Sequence, residues 1–224
     1  EADWLKSTKK DQVEEYKLAV NAYKEAEKAR KKNKKSKKTP KPVKPACKIM
    51  PKAYAEKDQE KMATTTNWVY FPWSQNVIHI LAEEAYFSVI TNRNQYKITA
   101  EEQASLRQKT IGVVGLSVGG EAAVTVSQEH LCGTIKIADF DELDLSNLNR
   151  LNASVEDIGV LKTTISARRS YQLNPYLKVI TYSEGIHENN IHDFLSNLDL
   201  LIEECDGLEI KFPIRQAAKS LKIN

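Results

Sequence analysis

Between residues 115 and 162 lies a set of side chains whose types suit the handling of phosphates. Gly115-Leu-Ser117-Val-Gly119-Gly120 falls where an apolar run ends and a helix-forming stretch begins. Small residues at such a junction let the backbone approach a phosphate, and the helix N-terminus offers unpaired N–H groups and the positive end of a dipole. Asp139 comes 19 residues after Gly120, at the close of the next apolar run. A carboxylate there can accept hydrogen bonds from ribose hydroxyls. These two features predict a nucleotide and leave NAD and ATP undecided. Ser117 also departs from the G-x-G-x-x-G fingerprint at its second glycine.

Two further stretches bear on that choice. Asp139-Phe-Asp141 is followed by Leu145-Ser-Asn147-Leu-Asn-Arg150, and Gly159-Val-Leu-Lys162 opens the next helical stretch twelve residues after Arg150. Together they bring an amide, a guanidinium and an ammonium to one edge of the expected sheet, beside the glycine turn. A triphosphate needs such a cluster, because its leaving pyrophosphate develops charge that cations stabilise. Hydride transfer from NAD has no comparable need. Asp206, just past the last apolar run, is suited to holding a Mg²⁺ that bridges phosphate oxygens.

The elements that must position these residues alternate regularly. Apolar runs at 110–115, 134–139, 177–182 and 198–203 read as strands, with helical stretches at 119–130, 163–173, 188–196 and 208–221 between and after them. Thr99-Ala-Glu-Glu102 is a capping-box pattern opening a short helix through Arg107. Strand–helix alternation of this kind implies βαβ units and a parallel sheet. The fold class is therefore α/β, a Rossmann-like, mostly parallel sheet with flanking helices. Upstream, Trp68-Val-Tyr-Phe71 is β-prone, and 77–89 reads either as one buried helix or as a helix–strand pair.

Charge divides the chain unevenly. Residues 1–61 hold 19 Lys+Arg against 10 Asp+Glu, whereas 62–224 hold 14 against 20. A basic helical arm with a Pro/Lys linker is expected over 1–65, and the nucleotide-binding domain, C-terminally incomplete, over 66–224. Val13, Tyr16, Val20 and Tyr23 give the arm a narrow apolar stripe, and Thr39-Pro-Lys-Pro-Val-Lys-Pro45 ends any helix. The arm lacks interleaved aromatics and a base-reading motif, so a solvated tether is expected rather than a nucleic-acid interface. No apolar run approaches the roughly 18–20 residues of a membrane span. The chain opens at Glu1 without an apolar leader, which reads as a fragment or a processed form. Cys47, Cys132 and Cys205 are odd in number and widely spaced, which argues against a disulfide framework and suits a reducing cytoplasm. His187 and His192 are five apart, diverge around a helix, and are not expected to bind zinc.

In the order and spacing of these stretches, residues from about 90 to 224 resemble the ThiF/MoeB/HesA family, the adenylating fold shared with ubiquitin-activating enzymes. Leu173-Asn-Pro175 and Leu200-Leu-Ile-Glu-Glu-Cys-Asp206 belong to the match. Trp68-Val-Tyr-Phe-Pro-Trp73 and Arg93-Asn-Gln extend it toward bacterial proteins in which a ThiF-like domain precedes a nitroreductase-like domain. The resemblance implies adenylation of a carboxylate, commonly the C-terminus of a ubiquitin-like or sulfur-carrier protein, with Mg·ATP as co-substrate. It implies that Gly115, Ser117, Gly119, Gly120 and Asp139 hold the nucleotide, and that Asn147, Arg150 and Lys162 hold phosphates. Asp206 would hold Mg²⁺, and Arg93 would reach into the partner's site of a homodimer. Ser117 stands where relatives usually have Gly, and Glu203 where Asp is common. A thioester-forming Cys and a zinc-binding CxxC pair would fall beyond Asn224. The rival readings are an NAD-binding module coupled to a flavin domain and a non-catalytic scaffold.

Overall fold

The computed structural model describes residues 46–49 and 66–224. Of the arm and Pro/Lys linker expected over 1–65, all but residues 46–49 lie outside the described residues. The chain divides into two compact units, residues 1–90 and 91–224. The division falls after Ile90, so residues 66–90, assigned from sequence to the nucleotide-binding domain, sit within the first unit.

In the first unit, β1 (Ala46–Ile49), β2 (Thr66–Phe71) and β3 (Asn76–Leu81) form a three-stranded sheet in the order β1-β3-β2. β1 runs parallel and β2 antiparallel to β3. Pro72 ends β2 because it has no N–H for the ladder, and Gln75, left-handed at φ 51°, completes the reversal. Trp68 pairs with His79 across the strands and stacks on it with ring centroids 4.4 Å apart. α1 (Glu83–Ile90) follows, so 77–89 is neither one helix nor a helix followed by a strand: the strand comes first and the helix second.

The second unit is built around four parallel strands in the order β6-β5-β4-β7. These are β4 (Thr110–Val114), β5 (Thr134–Ala138), β6 (Lys178–Tyr182) and β7 (Leu200–Glu203). α2 (Ala100–Leu106) precedes β4 and opens on the capping box expected at Thr99 and Glu102. α3 (Gly119–Gln128) connects β4 to β5, and α4 (Lys162–Leu173) connects β5 to β6. α5 (Ile191–Leu195) connects β6 to β7, and α6 (Leu208–Ser220) follows β7. Such crossovers are what parallel neighbours require. Among the described residues no helix is long and apolar enough to cross a membrane.

Strands covered on both faces read as nearly unbroken apolar runs, and β4 and β5 do. Val114 and Ala138 pack with Phe194, Leu195, Ile214 and Ala218 of α5 and α6. Val113 lies against the start of α3, and Ser127 of α3 donates to Ser170 of α4 at 3.0 Å. The one charge in β5 has a partner set: buried Lys136 donates to the carbonyls of Asp193, Phe194 and Ser196, each at 2.9 Å, and so caps the C-terminus of α5. Asp199 fixes the register of β7, accepting from Lys109 Nζ and from the Thr110 N–H, both at 2.8 Å. α5 begins three residues later than the sequence implies. Asn190 accepts from the His187 N–H at 2.8 Å and donates to the Gly185 carbonyl at 2.9 Å, which holds the preceding residues in a turn.

The strand order reverses at β4, whose successor β5 lies on one side while β7 lies on the other. Ligands of open α/β sheets bind at the carboxyl ends of strands beside such a switch point. The glycine turn leaves β4 there, and Asp206 leaves β7.

Candidate nucleotide site

Gly115 ends β4 with its N–H donating to the Ala138 carbonyl at 2.9 Å and with φ +82°, a left-handed conformation that costs any residue bearing a Cβ. A Cβ at 115 would also lie 2.5 Å from the carbonyl oxygen of Glu204. The turn is thus pressed against the backbone that leads from β7 to Asp206. A Cβ at Gly119 would come within 2.9 Å of Val113, so glycine there lets α3 start close to the sheet. Asp139, 8% exposed, closes the turn from the β5 side. One carboxylate oxygen accepts from the Leu116 N–H at 2.6 Å and the other from the Asp141 N–H at 2.8 Å.

Lys162 is the first residue of α4, and its side chain is 5% exposed. Its ammonium donates to the Asp141 carboxylate at 2.7 Å and to the Ser117 hydroxyl at 3.1 Å. Its backbone N–H donates to the Asp141 carbonyl at 2.9 Å. A cation is thereby built into the glycine turn, held from two sides. Gly120 and Lys162 line one cleft together with Leu116, Ile165, Ser166 and Arg169.

The segment from Asp141 to Leu161 leaves the sheet and returns to it. Leu143 and Val160 share a backbone hydrogen bond of 2.9 Å, as do Gly159 and Leu143, and these close its base. Its outer part carries Asn147 within a single 3₁₀ turn, Leu145–Asn149, and Arg150 as the residue that ends it. Asn147 accepts from the Asp144 N–H at 3.0 Å, and Asp144 accepts from the Ser146 N–H at 2.7 Å. Hydrogen bonding from Ser146, through its side chain first and its N–H second, holds the Asp144 carboxyl below the usual carboxylate range. Arg150 is exposed and donates to the Ser146 carbonyl at 3.2 Å and to Asn149 at 3.0 Å. Glu121 in the first turn of α3 accepts from the Asn152 N–H at 2.9 Å, tying the segment back to the glycine helix.

Asp206 lies exposed in the bend between β7 and α6. Arg93 is exposed on the 3₁₀ turn Asn92–Tyr96, and its side chain makes no ion pair with another described residue. Glu203 is tied to α6 and to its own strand end: its side chain, 5% exposed, accepts from Arg215 Nε at 2.6 Å and from the Cys205 N–H at 2.8 Å. Burial, reinforced by the Glu203 carboxylate, pushes the Cys205 thiol up to about 11, which leaves little thiolate at neutral pH.

With that geometry in place, similarity to known proteins decides the family. The ThiF family profile matches residues 91–224, which is the whole second unit. The chain belongs to the ThiF family. It is 44% identical over 163 residues to the uncharacterized protein MT1398 of Mycobacterium tuberculosis, covering 73% of this chain and 23% of that protein. It is 30% identical over 133 residues to ubiquitin-like modifier-activating enzyme 5 of Drosophila willistoni, covering 53% of this chain and 32% of the enzyme. It therefore spans between about a quarter and a third of the length of these two curated relatives. The fold is shared with the E. coli tRNA N6-threonylcarbamoyladenosine dehydratase TcdA, solved in complex with ATP: TM-score 0.59 and 21% identity over 64% of this chain and 60% of that one.

Of the residues picked out from sequence, this ThiF-family structure brings Gly115, Ser117, Gly119, Gly120, Asp139 and Lys162 together at the end of β4. Asn147 lies within the separate 3₁₀ turn and Arg150 ends it, and Asp206 follows the backbone that abuts Gly115. Asp141 and Arg169 were missed. Arg169 lies seven residues after Lys162, a spacing that returns to the same helix face. Asp141 has no comparable signal, because its partner lies 21 residues onward.

Proposed function

We propose that the second unit binds ATP against the glycine turn and activates a carboxylate as an acyl-adenylate. In that reaction a carboxylate oxygen forms a bond to the α-phosphorus, the bond from that phosphorus to the α,β-bridging oxygen breaks, and pyrophosphate leaves. The observation that carries this reading is the position of Lys162, a nearly buried ammonium 3.1 Å from a side chain of the glycine turn. A dinucleotide module has no need of a lysine there.

Lys162 and Arg150 would stabilise the charge that develops on the departing pyrophosphate, and Asn147 would contribute an amide donor to the phosphates. Asp139 would receive the ribose. Each of its oxygens accepts one backbone N–H and keeps a further lone pair for a hydroxyl. Asp206 fits a Mg²⁺ site of the kind completed by substrate phosphates, since it is an exposed carboxylate at the mouth of the turn. Mg²⁺ would neutralise charge on the phosphate oxygens. Catalysis would come from positioning and electrostatics rather than from a protein nucleophile.

The carboxylate belongs, in this reading, to the C-terminus of a small carrier protein. The name of the fly relative, a ubiquitin-like modifier-activating enzyme, supports that class. A homodimer with Arg93 reaching the partner's site, and a nitroreductase-like domain after this segment, complete the proposal. The mycobacterial relative extends far beyond the matched part.

Calorimetric titration with ATP plus Mg²⁺, and separately with NAD⁺, tests the site. ATP binding that Arg150→Ala weakens, followed by ATP–pyrophosphate exchange, is the expected result. NAD⁺ binding alone would sink the adenylation reading, and ATP binding without exchange on a longer natural chain would leave a scaffold.

A further inference from the structure

Ser117 occupies the position at which a glycine-rich turn ordinarily has no side chain, leaving room for the pyrophosphate. The turn does not require glycine there, since among the described residues only Gln75, His130, Asn197 and Lys222 combine a side chain with positive φ. Its hydroxyl is instead directed into the site. An ammonium is donor-only, so in the 3.1 Å contact Oγ accepts from Lys162 and the hydroxyl proton remains to be donated. No other described residue takes that proton. Lys162 has three N–H donors, of which Asp141 and Ser117 occupy two.

We propose that Ser117 is a phosphate-binding and lysine-positioning residue: it anchors the Lys162 ammonium within the turn and offers its own O–H, polarised by that ammonium, to a phosphate oxygen of the nucleotide. Ser117 and Lys162 then act as a pair, presenting one O–H and one N–H side by side. Asp141 holds the ammonium from the opposite side, so the lysine cannot swing out to solvent when the site is empty. This inference rests on the nucleotide-binding reading and adds to it a residue whose type departs from the usual turn.

The test compares Ser117→Gly, Ser117→Ala and Ser117→Thr in the full chain. ATP affinity is measured by calorimetry, kcat and KM by pyrophosphate exchange, and nucleotide-free acylation of Lys162 by an amine-reactive ester with mass-spectrometric readout. Loss of a hydrogen bond to a charged group predicts roughly tenfold weaker ATP binding in the Ala and Gly variants. Their Lys162 should be acylated several-fold faster, and Ser117→Thr, which keeps the hydroxyl, should restore both to within about threefold of the wild type. ATP binding by Ser117→Gly equal to or tighter than wild type overturns the proposal, as does a Thr variant no better than Ala. A wild-type chain that binds no ATP fails at the level of the nucleotide reading instead, and the two failures are told apart by that single titration.

Discussion

Two regions contribute side chains to the candidate site, and they are built on different terms. At the end of β4, Gly115, Ser117, Asp139 and Lys162 are locked together by strand backbone, the start of a helix and the ion pair of the buried Lys162 side chain with half-exposed Asp141. On the excursion between Asp141 and Leu161, Asn147 and Arg150 sit within and at the end of one exposed 3₁₀ turn whose hydrogen bonds are almost all local. The first region is a rigid receptor for charge that is already present in a nucleotide. The second can change shape at little cost, and segments of that kind are the ones that move in binding and catalysis. One site thus combines a preformed cradle with an adjustable arm carrying Arg150.

Substitution of one left-handed glycine in each region separates the two most sharply. Gly115→Ala combines backbone strain with a Cβ 2.5 Å from the Glu204 carbonyl, which neither backbone can relieve alone. A loss of about 3–5 kcal/mol in urea unfolding is expected. Gly159, on the excursion, has the same kind of φ, +80°, but a Cβ there would meet no atom within 4 Å. Gly159→Ala should cost only the local conformational penalty, about 1–2 kcal/mol. Equal costs at the two positions would mean that the turn is not pressed against the backbone after β7.

The cations give the next contrast. Lys162→Ala removes a buried donor from the turn and should weaken ATP binding by roughly a hundredfold. Because Asp141 is half exposed, its lost partner should cost only about 1 kcal/mol of stability. Arg150→Ala should leave unfolding within about 0.5 kcal/mol of wild type, while still lowering affinity by roughly tenfold. If Arg150→Ala destabilised the fold as much as Lys162→Ala, the excursion would be part of the scaffold and not an arm on it.

What could be read in the sequence follows the same division. β4, α3, β5 and α4 are legible to within one or two residues because strands buried on both faces are apolar throughout, and the glycines mark the junction. The family resemblance rests on those stretches and is carried by the match to residues 91–224. Contacts that depend on distant partners were not legible. Lys136 reads as a charge interrupting a strand, and only the carbonyls at the end of α5, nearly sixty residues on, explain it. Asp141 stands inside a stretch singled out from sequence, yet its hold on Lys162 emerges only when the excursion closes. The late start of α5 comes from the Asn190 side chain competing with helical hydrogen bonding, a local preference that periodicity overlooks.

The smallest expected effect concerns the arm alone. Asp144 caps the 3₁₀ turn that carries Asn147 and ends at Arg150, and hydrogen bonding from Ser146 holds its carboxyl below the ordinary value. A group whose folded pKa is depressed contributes stability above its unfolded pKa and loses it as pH falls through the folded value. The cap should therefore be intact near neutrality and should open only in acid below the ordinary Asp range. Because Asp144 is fully exposed, its opening should register as a local event. In an NMR titration the amide signals of Ser146 and Asn147 should move with a midpoint below 3.8, while those of Leu116 and Lys162 hold still. Shifts of all four signals with one midpoint would couple the arm to the cradle and erase the distinction between them. Movement of the arm alone would show that the turn bearing Arg150 can rearrange without disturbing the lysine.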